Sequence, residues 1–229
     1  MYELYIANKN YSSWSLRPWA LLRALDIPFD EKLVPFTGGA GENWDAFRAF
    51  SPTGKVPCLR DGDSVVWDSL AIAEYLAERH PGVWPADPQA RAWARCAAAE
   101  MHSGYAALRS VCTMNCGVRV RVEALSAALR RDIARIEELW REGLARFGGP
   151  FLAGRDFTAV DAFYAPVAFR IQSYGLQLAA DTMAYAQRLL DLPAMREWYD
   201  AALAEAWRDP EHEDEVRRAG TWLQDLRTS

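Results

Sequence analysis

The sequence predicts an α/β plus all-α fold: a small βαβ–ββα unit over residues 1–80, a linker at 81–88 and a helical bundle over 89–229. Three observations carry this expectation. Val56-Pro-Cys-Leu59 and Val65-Val-Trp67 are short apolar runs around Asp61-Gly62, the pattern of a β-hairpin. His80-Pro-Gly-Val-Trp-Pro-Ala-Asp-Pro88 is dense in turn formers and reads as a connector. Beyond it, apolar residues recur with a helical period over about 90–114, 121–147, 158–173, 181–190 and 193–207.

Each element has a local reason. The run from Tyr2 to Ala7 reads as a first strand, and Leu16 to Leu25 as a helix with Pro18 in its first turn. Glu31 to Pro35 reads as a second strand. After the hairpin, Asp68-Ser69 opens a helix to Glu78 with Ile72, Ala73 and Leu76 on one face. Pro57 has no ladder donor and belongs at a strand edge or start. A cis Val56–Pro57 bond there leaves the backbone of Val56 facing an extended ligand. In the second unit, Gly154-Arg-Asp-Phe-Thr158-Ala-Val-Asp161 reads as a capping box, which makes Asp161 a folding residue and not a catalytic acid. The charged tail from Arg208 to Ser229 is expected to wrap the surface or fray.

Composition excludes several classes. With 229 residues, 51% hydrophobic and 25% charged, the chain has ample core and is not disordered. A net charge of −5 argues against nucleic-acid binding, while still allowing Lys and Arg to gather around an anionic ligand. No apolar run is long enough to span a membrane, and Met1-Tyr-Glu-Leu-Tyr5 lacks the basic and apolar regions of an export signal. Cys58, Cys96, Cys112 and Cys116 show no Cys-x-x-Cys and no metal-ligand spacing, so no metal is expected and the last two read as buried thiols. A reducing, cytoplasmic setting fits this usage.

Two polar clusters carry chemistry. Unpaired N–H groups and the positive dipole end at the Asp68-Ser69 helix start hold a carboxylate. Ser69 adds a hydroxyl and Asp68 can face an ammonium, so the pair matches the zwitterionic end of an amino acid. The bland alternative is a plain helix cap. Earlier, Asn10-Tyr-Ser12-Ser13-Trp14-Ser15-Leu16-Arg17 places hydroxyls at another helix start, again as donors or as caps.

Lys55-Val56-Pro57 followed by Trp67-Asp68-Ser69 resembles the glutathione-binding half of cytosolic glutathione transferases, and the order of elements resembles that family along nearly the whole chain. The Gly154-to-Asp161 pattern is similar to the family's buried N-capping motif. The Ser-Ser-x-Ser-x-Arg run resembles the serine-type enzymes, closest to the zeta class. This resemblance implies an N-terminal thioredoxin-like domain, a C-terminal helical domain with the acceptor site, a homodimer, and glutathione as co-substrate. It implies that the Val56 backbone meets the cysteinyl unit and that Asp68 and Ser69 hold the γ-glutamyl end; with no polar side chain at Gly54, the glycine carboxylate is expected to depend on Lys55 or others. It places the catalytic serine on Ser12, with Ser13 next and Tyr11 as the fallback. A thiol attacks as its thiolate, which a hydroxyl donor at a helix start stabilises.

The departures are Trp14 where the zeta class has Cys, Gly54 where relatives carry a polar residue, and Glu42 or Asn43 where they carry a glutathione-touching Gln. Trp14, Met101 and Tyr105 are the acceptor-site candidates, the last two sharing a helical stripe with Leu108 and Cys112. Trp19 and Trp44 are expected nearby. His102 faces solvent or the cleft, and Arg109 attracts an acidic substrate or pairs with a helix carboxylate. The expected activity is addition of the thiolate to a small hydrophobic electrophile, with possible peroxidase activity. The alternatives are a zeta-like cis–trans isomerase of the maleylacetoacetate type and a non-enzymatic binding module.

Overall fold

The computed structural model describes residues 1–36 and 43–228. The N-terminal half runs β1 (Tyr2–Ile6), α1 (Ser13–Ala24), β2 (Phe29–Leu33), α2 (Trp44–Arg48), β3 (Cys58–Asp61), β4 (Ser64–Trp67) and α3 (Ser69–Ala77). Its sheet has the order β2-β1-β3-β4, with β2 parallel to β1 and the β3–β4 hairpin antiparallel. Alternation along β1 divides the apolar residues between the sheet's faces. Leu4 and Ile6 join Leu59, Trp19 and Ile72 in the main core, whereas Tyr5 packs with Ala7, Phe47, Phe50 and Cys58 on the other side. The β1–α1–β2 and β3–β4–α3 segments on one mixed sheet are the βαβ–ββα unit that the sequence predicts.

The second half is helical, with α4 (Pro88–Ser103), α5 (Ala106–Val111), α6 (Ala127–Phe147), α7 (Ala159–Tyr174), α8 (Ala180–Leu190), α9 (Pro193–Ala204) and α10 (Pro210–Ala219). It also contains a ribbon of β5 (Val118–Arg121) and β6 (Thr221–Asp225) that the periodicity did not foretell. The tail therefore wraps the surface as ordered structure. The single helix expected over 90–114 is two. Gly104 is extended, with the carbonyl oxygen of Glu100 lying 2.7 Å from where a Cβ would stand, and Tyr105 is left-handed at φ 57°. Leu108 of α5 still packs into the core that Met101 of α4 enters, so the apolar stripe survives a break in the backbone. Likewise, residues 121–126 are not helical: Ser126 caps α6 by accepting from Leu129 N at 3.1 Å.

The motif at Thr158 and Asp161 behaves as a buried cap. Asp161 Oδ2 accepts from Thr158 N and Oγ1 at 3.0 and 3.3 Å, while Oδ1 accepts from Leu152 N at 3.0 Å and Tyr185 Oη at 2.8 Å. Helix α7, buried along nearly its whole length, packs against α1, so one core runs through both halves. Cys112 and Cys116 are free and buried, and burial raises the Cys112 thiol to about 11.

Candidate functional site

The segment before α1 is held by the C-terminal half. Glu205, at the end of α9, accepts from the backbone N–H groups of Lys9 and Asn10 at 2.5 and 3.2 Å. Trp198 Nε1 donates to Lys9 O at 2.8 Å, and Gly117 N donates to Asn10 Oδ1 at 3.0 Å. This clamp fixes the start of α1. Ser12 is its N-cap, accepting from Ser15 N at 3.3 Å and donating to Ser15 Oγ at 2.7 Å. Ser13 Oγ accepts instead from Arg170 Nη2 of α7, at 3.3 Å. The Tyr11 hydroxyl donates to Glu213 at 2.6 Å, which turns it away from the serines.

Ser12 and Ser13 open onto a cavity of about 1080 Å³ between the two halves, with Trp14, Phe36, Lys55, Val56, Arg109 and Arg170 among its walls. Two guanidinium groups, Arg109 and Arg170, line it, and a third, Arg17, is buried next to Trp14 of its wall. Arg17 and Arg109 lie 4.1 and 4.5 Å from the centre of the Trp14 ring, and Arg170 reaches the carbonyl of Cys112. Among the described residues, no carboxylate comes within 4 Å of any of the three. The Nε atoms of Arg17 and Arg170 are buried without a hydrogen-bond partner. Burial, followed by the like charges of Arg109 and Arg170, lowers Arg17 to about 9; burial lowers Arg170 to about 10. Such a cluster is a strong field for an anion.

The hairpin side supplies the second wall. The Val56–Pro57 bond is cis. Gly54 adopts φ 61°, and a Cβ there would stand 2.4 Å from the Trp44 ring, so the polar side chain expected from relatives has no room. Asp68 is also left-handed, φ 53°, and caps α3 by accepting from Leu70 N at 2.8 Å. A non-glycine residue in that region is strained, and such strain gathers at ligand-binding turns. Ser69 is buried and accepts from Arg17 at 3.5 Å, and Asp68 lies 3.6 Å from His102. Burial lowers the His102 pKa, an effect that Asp68 opposes. Asp68 and Ser69 thus stand beside the cavity, joined to its base through Arg17 and His102.

Met101 and Tyr105 are not on the cavity wall. Both point into the core, and the Tyr105 hydroxyl donates to Glu100 at 2.8 Å. The backbone break at Gly104 turns His102, Ser103, Gly104, Ala106, Arg109 and Ser110 to the cavity in their place. Arg109 donates to the carbonyls of His102 and Gly104 and pairs with no helix carboxylate among the described residues. Trp44 lines the cavity while Trp19 is core, and Asn43 lines it too; Glu42 lies outside the described residues. Sequence reading missed Arg170, whose signal was a lone charge in the apolar run from Phe163 to Ile171, and also Asp209 and His212 on α10. No group of three or more metal-ligating side chains forms among the described residues, and none of their helices is long and apolar enough to cross a membrane.

Comparison with known proteins is concordant. The model for "Glutathione S-transferase, N-terminal domain" matches residues 11–79, and that for "Glutathione S-transferase, C-terminal domain" matches residues 120–201. Dichloromethane dehalogenase of Methylorubrum extorquens is 40% identical over 25% of this chain and 20% of its own length. Glutathione S-transferase theta-1 of Homo sapiens is 30% identical over 62% of this chain and 64% of its own. A zeta-class glutathione S-transferase of Euphorbia esula is 29% identical over 72% and 73%. The chain thus spans about a fifth of the dehalogenase and under two thirds of theta-1. Among solved structures, a glutathione transferase homologue from Burkholderia, with bound glutathione, superposes with a TM-score of 0.66 at 21% identity, over 88% of this chain and 97% of that one. An unclassified glutathione S-transferase of Bombyx mori gives 0.71 at 21% identity, over 96% and 99%.

Proposed function

The chain belongs to the glutathione S-transferase family, and from that premise we propose that it binds glutathione in the interdomain cavity, holds it as the thiolate and adds it to a small electrophile. The observation that carries this reading is the single cavity joining Ser12 and Ser13 at the start of α1 to Lys55 and Val56 before the hairpin. A thiol placed there meets a helix N-terminus, a hydroxyl donor and the guanidinium groups of Arg109 and Arg170, all of which favour its anion. Ser13 is the better donor of the pair. The Ser12 proton is committed to Ser15, whereas Ser13 receives a hydrogen bond from Arg170 and keeps its own proton for the sulfur. The γ-glutamyl end then lies toward Asp68 and Ser69, and Lys55 faces the glycine carboxylate. In this reading the protein is a cytoplasmic homodimer.

Calorimetry with glutathione tests the assignment. Asp68→Ala and Ser69→Ala should each weaken binding by about 1.5–3 kcal/mol, the worth of one charge-assisted hydrogen bond. Unchanged affinity in both variants would contradict it.

A second reading, isomerisation of an acidic cis double bond by transient thiolate addition, is favoured by the arginine cluster. Arg109 and Arg170 present positive charge to the acceptor side of the cavity, where a purely hydrophobic electrophile makes no use of it. Activity profiling decides between the readings: turnover of neutral electrophiles but not of maleylacetoacetate-like acids would rule this one out.

A further inference from the structure

Helix α10 lies beyond residues 120–201, the span matched by the C-terminal family model, yet it supplies part of the cavity wall. Its N-cap is Asp209, which is 2% exposed and accepts from His212 N at 3.1 Å. The same carboxylate oxygen lies 2.5 Å from His212 Nδ1. The imidazole is stacked between two rings, Tyr11 at 5.0 Å and Phe36 at 4.9 Å between centroids, and is 28% exposed. Asp209 therefore fixes both the orientation and the tautomer: Nδ1 carries the proton and Nε2 is left as the basic nitrogen. Nε2 has no hydrogen-bond partner among the described residues. Tyr11 directly precedes Ser12, and His212, Tyr11, Ser12 and Ser13 all line the one cavity.

We propose that His212, oriented by Asp209, is the general base that takes the glutathione thiol proton. The inference rests on the reading that this cavity binds glutathione. Hydroxyl donors and guanidinium groups stabilise a thiolate but cannot accept the proton that leaves it, and an aspartate-held imidazole can. The proton passes from sulfur to Nε2, giving thiolate and imidazolium, while Asp209 stays ionised. The thiolate then forms its bond to the electrophilic carbon, the leaving group departs with its electron pair, and the imidazolium returns its proton to that group or to water. The charged groups that share the cavity wall with the ring are Asp209 at the N-cap, Glu211, Glu215 and Arg218 on α10, and Lys55 from the hairpin side. Arg227 and Glu213 engage the hydroxyl of the stacked Tyr11.

Pre-steady-state conjugation tests the proposal. Thiolate absorbance and first turnover with a fast electrophile are followed at pH 7.5, with calorimetry giving glutathione affinity in parallel. His212→Gln, which keeps the backbone bond to Asp209, should slow the chemical step by about 100-fold with affinity nearly unchanged, and added imidazole should restore part of the rate. Asp209→Asn, which retains the cap acceptor but removes the charge, should slow the step in the same direction; thermal melting verifies that both fold. Rates equal to wild type in both variants, or a slowed His212→Gln that imidazole does not rescue, overturn the role of His212 and leave the glutathione reading standing. Absence of binding by wild type overturns that reading and this inference with it.

Discussion

Asp161 illustrates how one carboxylate can look catalytic and be structural. It is fully buried, and its two oxygens accept four hydrogen bonds that join Leu152, Thr158 and Tyr185. Burial raises its pKa from 3.8 to about 6 despite those donors. Because the folded value lies above the unfolded one, the unfolded chain binds fewer protons between about pH 4 and 6, and stability falls as pH rises through that window. Asp161→Asn should flatten the fall, which melting temperature against pH reads directly; an unchanged slope would place the pH dependence elsewhere. Asp161→Ala leaves two N–H groups and the hydroxyls of Thr158 and Tyr185 without their acceptor and should cost on the order of 3 kcal/mol, with activity per folded molecule retained. This residue was legible in the sequence because its partners are mostly local: Thr158 and Asp161 are three residues apart. Arg170 was not, since its partners, Ser13 and the Cys112 carbonyl, are 157 and 58 residues away.

At the scale of elements, the hairpin, α3 and α7 announce themselves through Asp61-Gly62, Asp68-Ser69 and the Thr158 cap, all short-range signals. The α4–α5 break is less visible, because apolar periodicity measures burial and both pieces bury the same stripe. The ribbon of β5 and β6 pairs segments a hundred residues apart, and no local pattern records such a pairing. Helix α10 has a start signal in Asp209-Pro210, an N-cap followed by proline at N1, but its charge masks its packing. What holds it is Glu213, which accepts from Tyr11 and from Arg227, with the Glu213 and Arg227 side chains 8% and 3% exposed. Removing one partner of a buried pair strands the other charge. Glu213→Leu should therefore destabilise the protein by about 3 kcal/mol and raise hydrogen exchange over residues 210–225 before the rest of the chain. Uniform exchange across the molecule would mean that α10 is anchored elsewhere.

Across the whole molecule, the site exists because two halves meet. The N-terminal sheet and hairpin present Val56, Asp68 and Ser69, while the helical half clamps Lys9 and Asn10, supplies Arg170 and Arg109, and closes the cavity with α10. Val56, Asp68 and Ser69 of the first half were readable because they lie within about twenty residues of one another. The contributions of the second half arise only when α7 packs on α1 and the tail folds back, so they had no contiguous signature. Asp68 and Ser69 nonetheless need Arg17, and Ser13 needs Arg170, for the geometry described.

The absorbance of bound glutathione against pH tests the central claim most directly. A helix start, a donor hydroxyl and the guanidinium groups of Arg109 and Arg170 should bring the thiol at least one unit below its ordinary value of roughly 8.5. Ser13→Ala should move the titration back up with glutathione affinity nearly intact, and lower the conjugation rate near neutral pH by about 10- to 1000-fold. Ser12→Ala should act mainly on stability, through the lost cap. A bound thiol that titrates near its free value in the wild-type protein, or a shift produced by neither serine, would contradict the account.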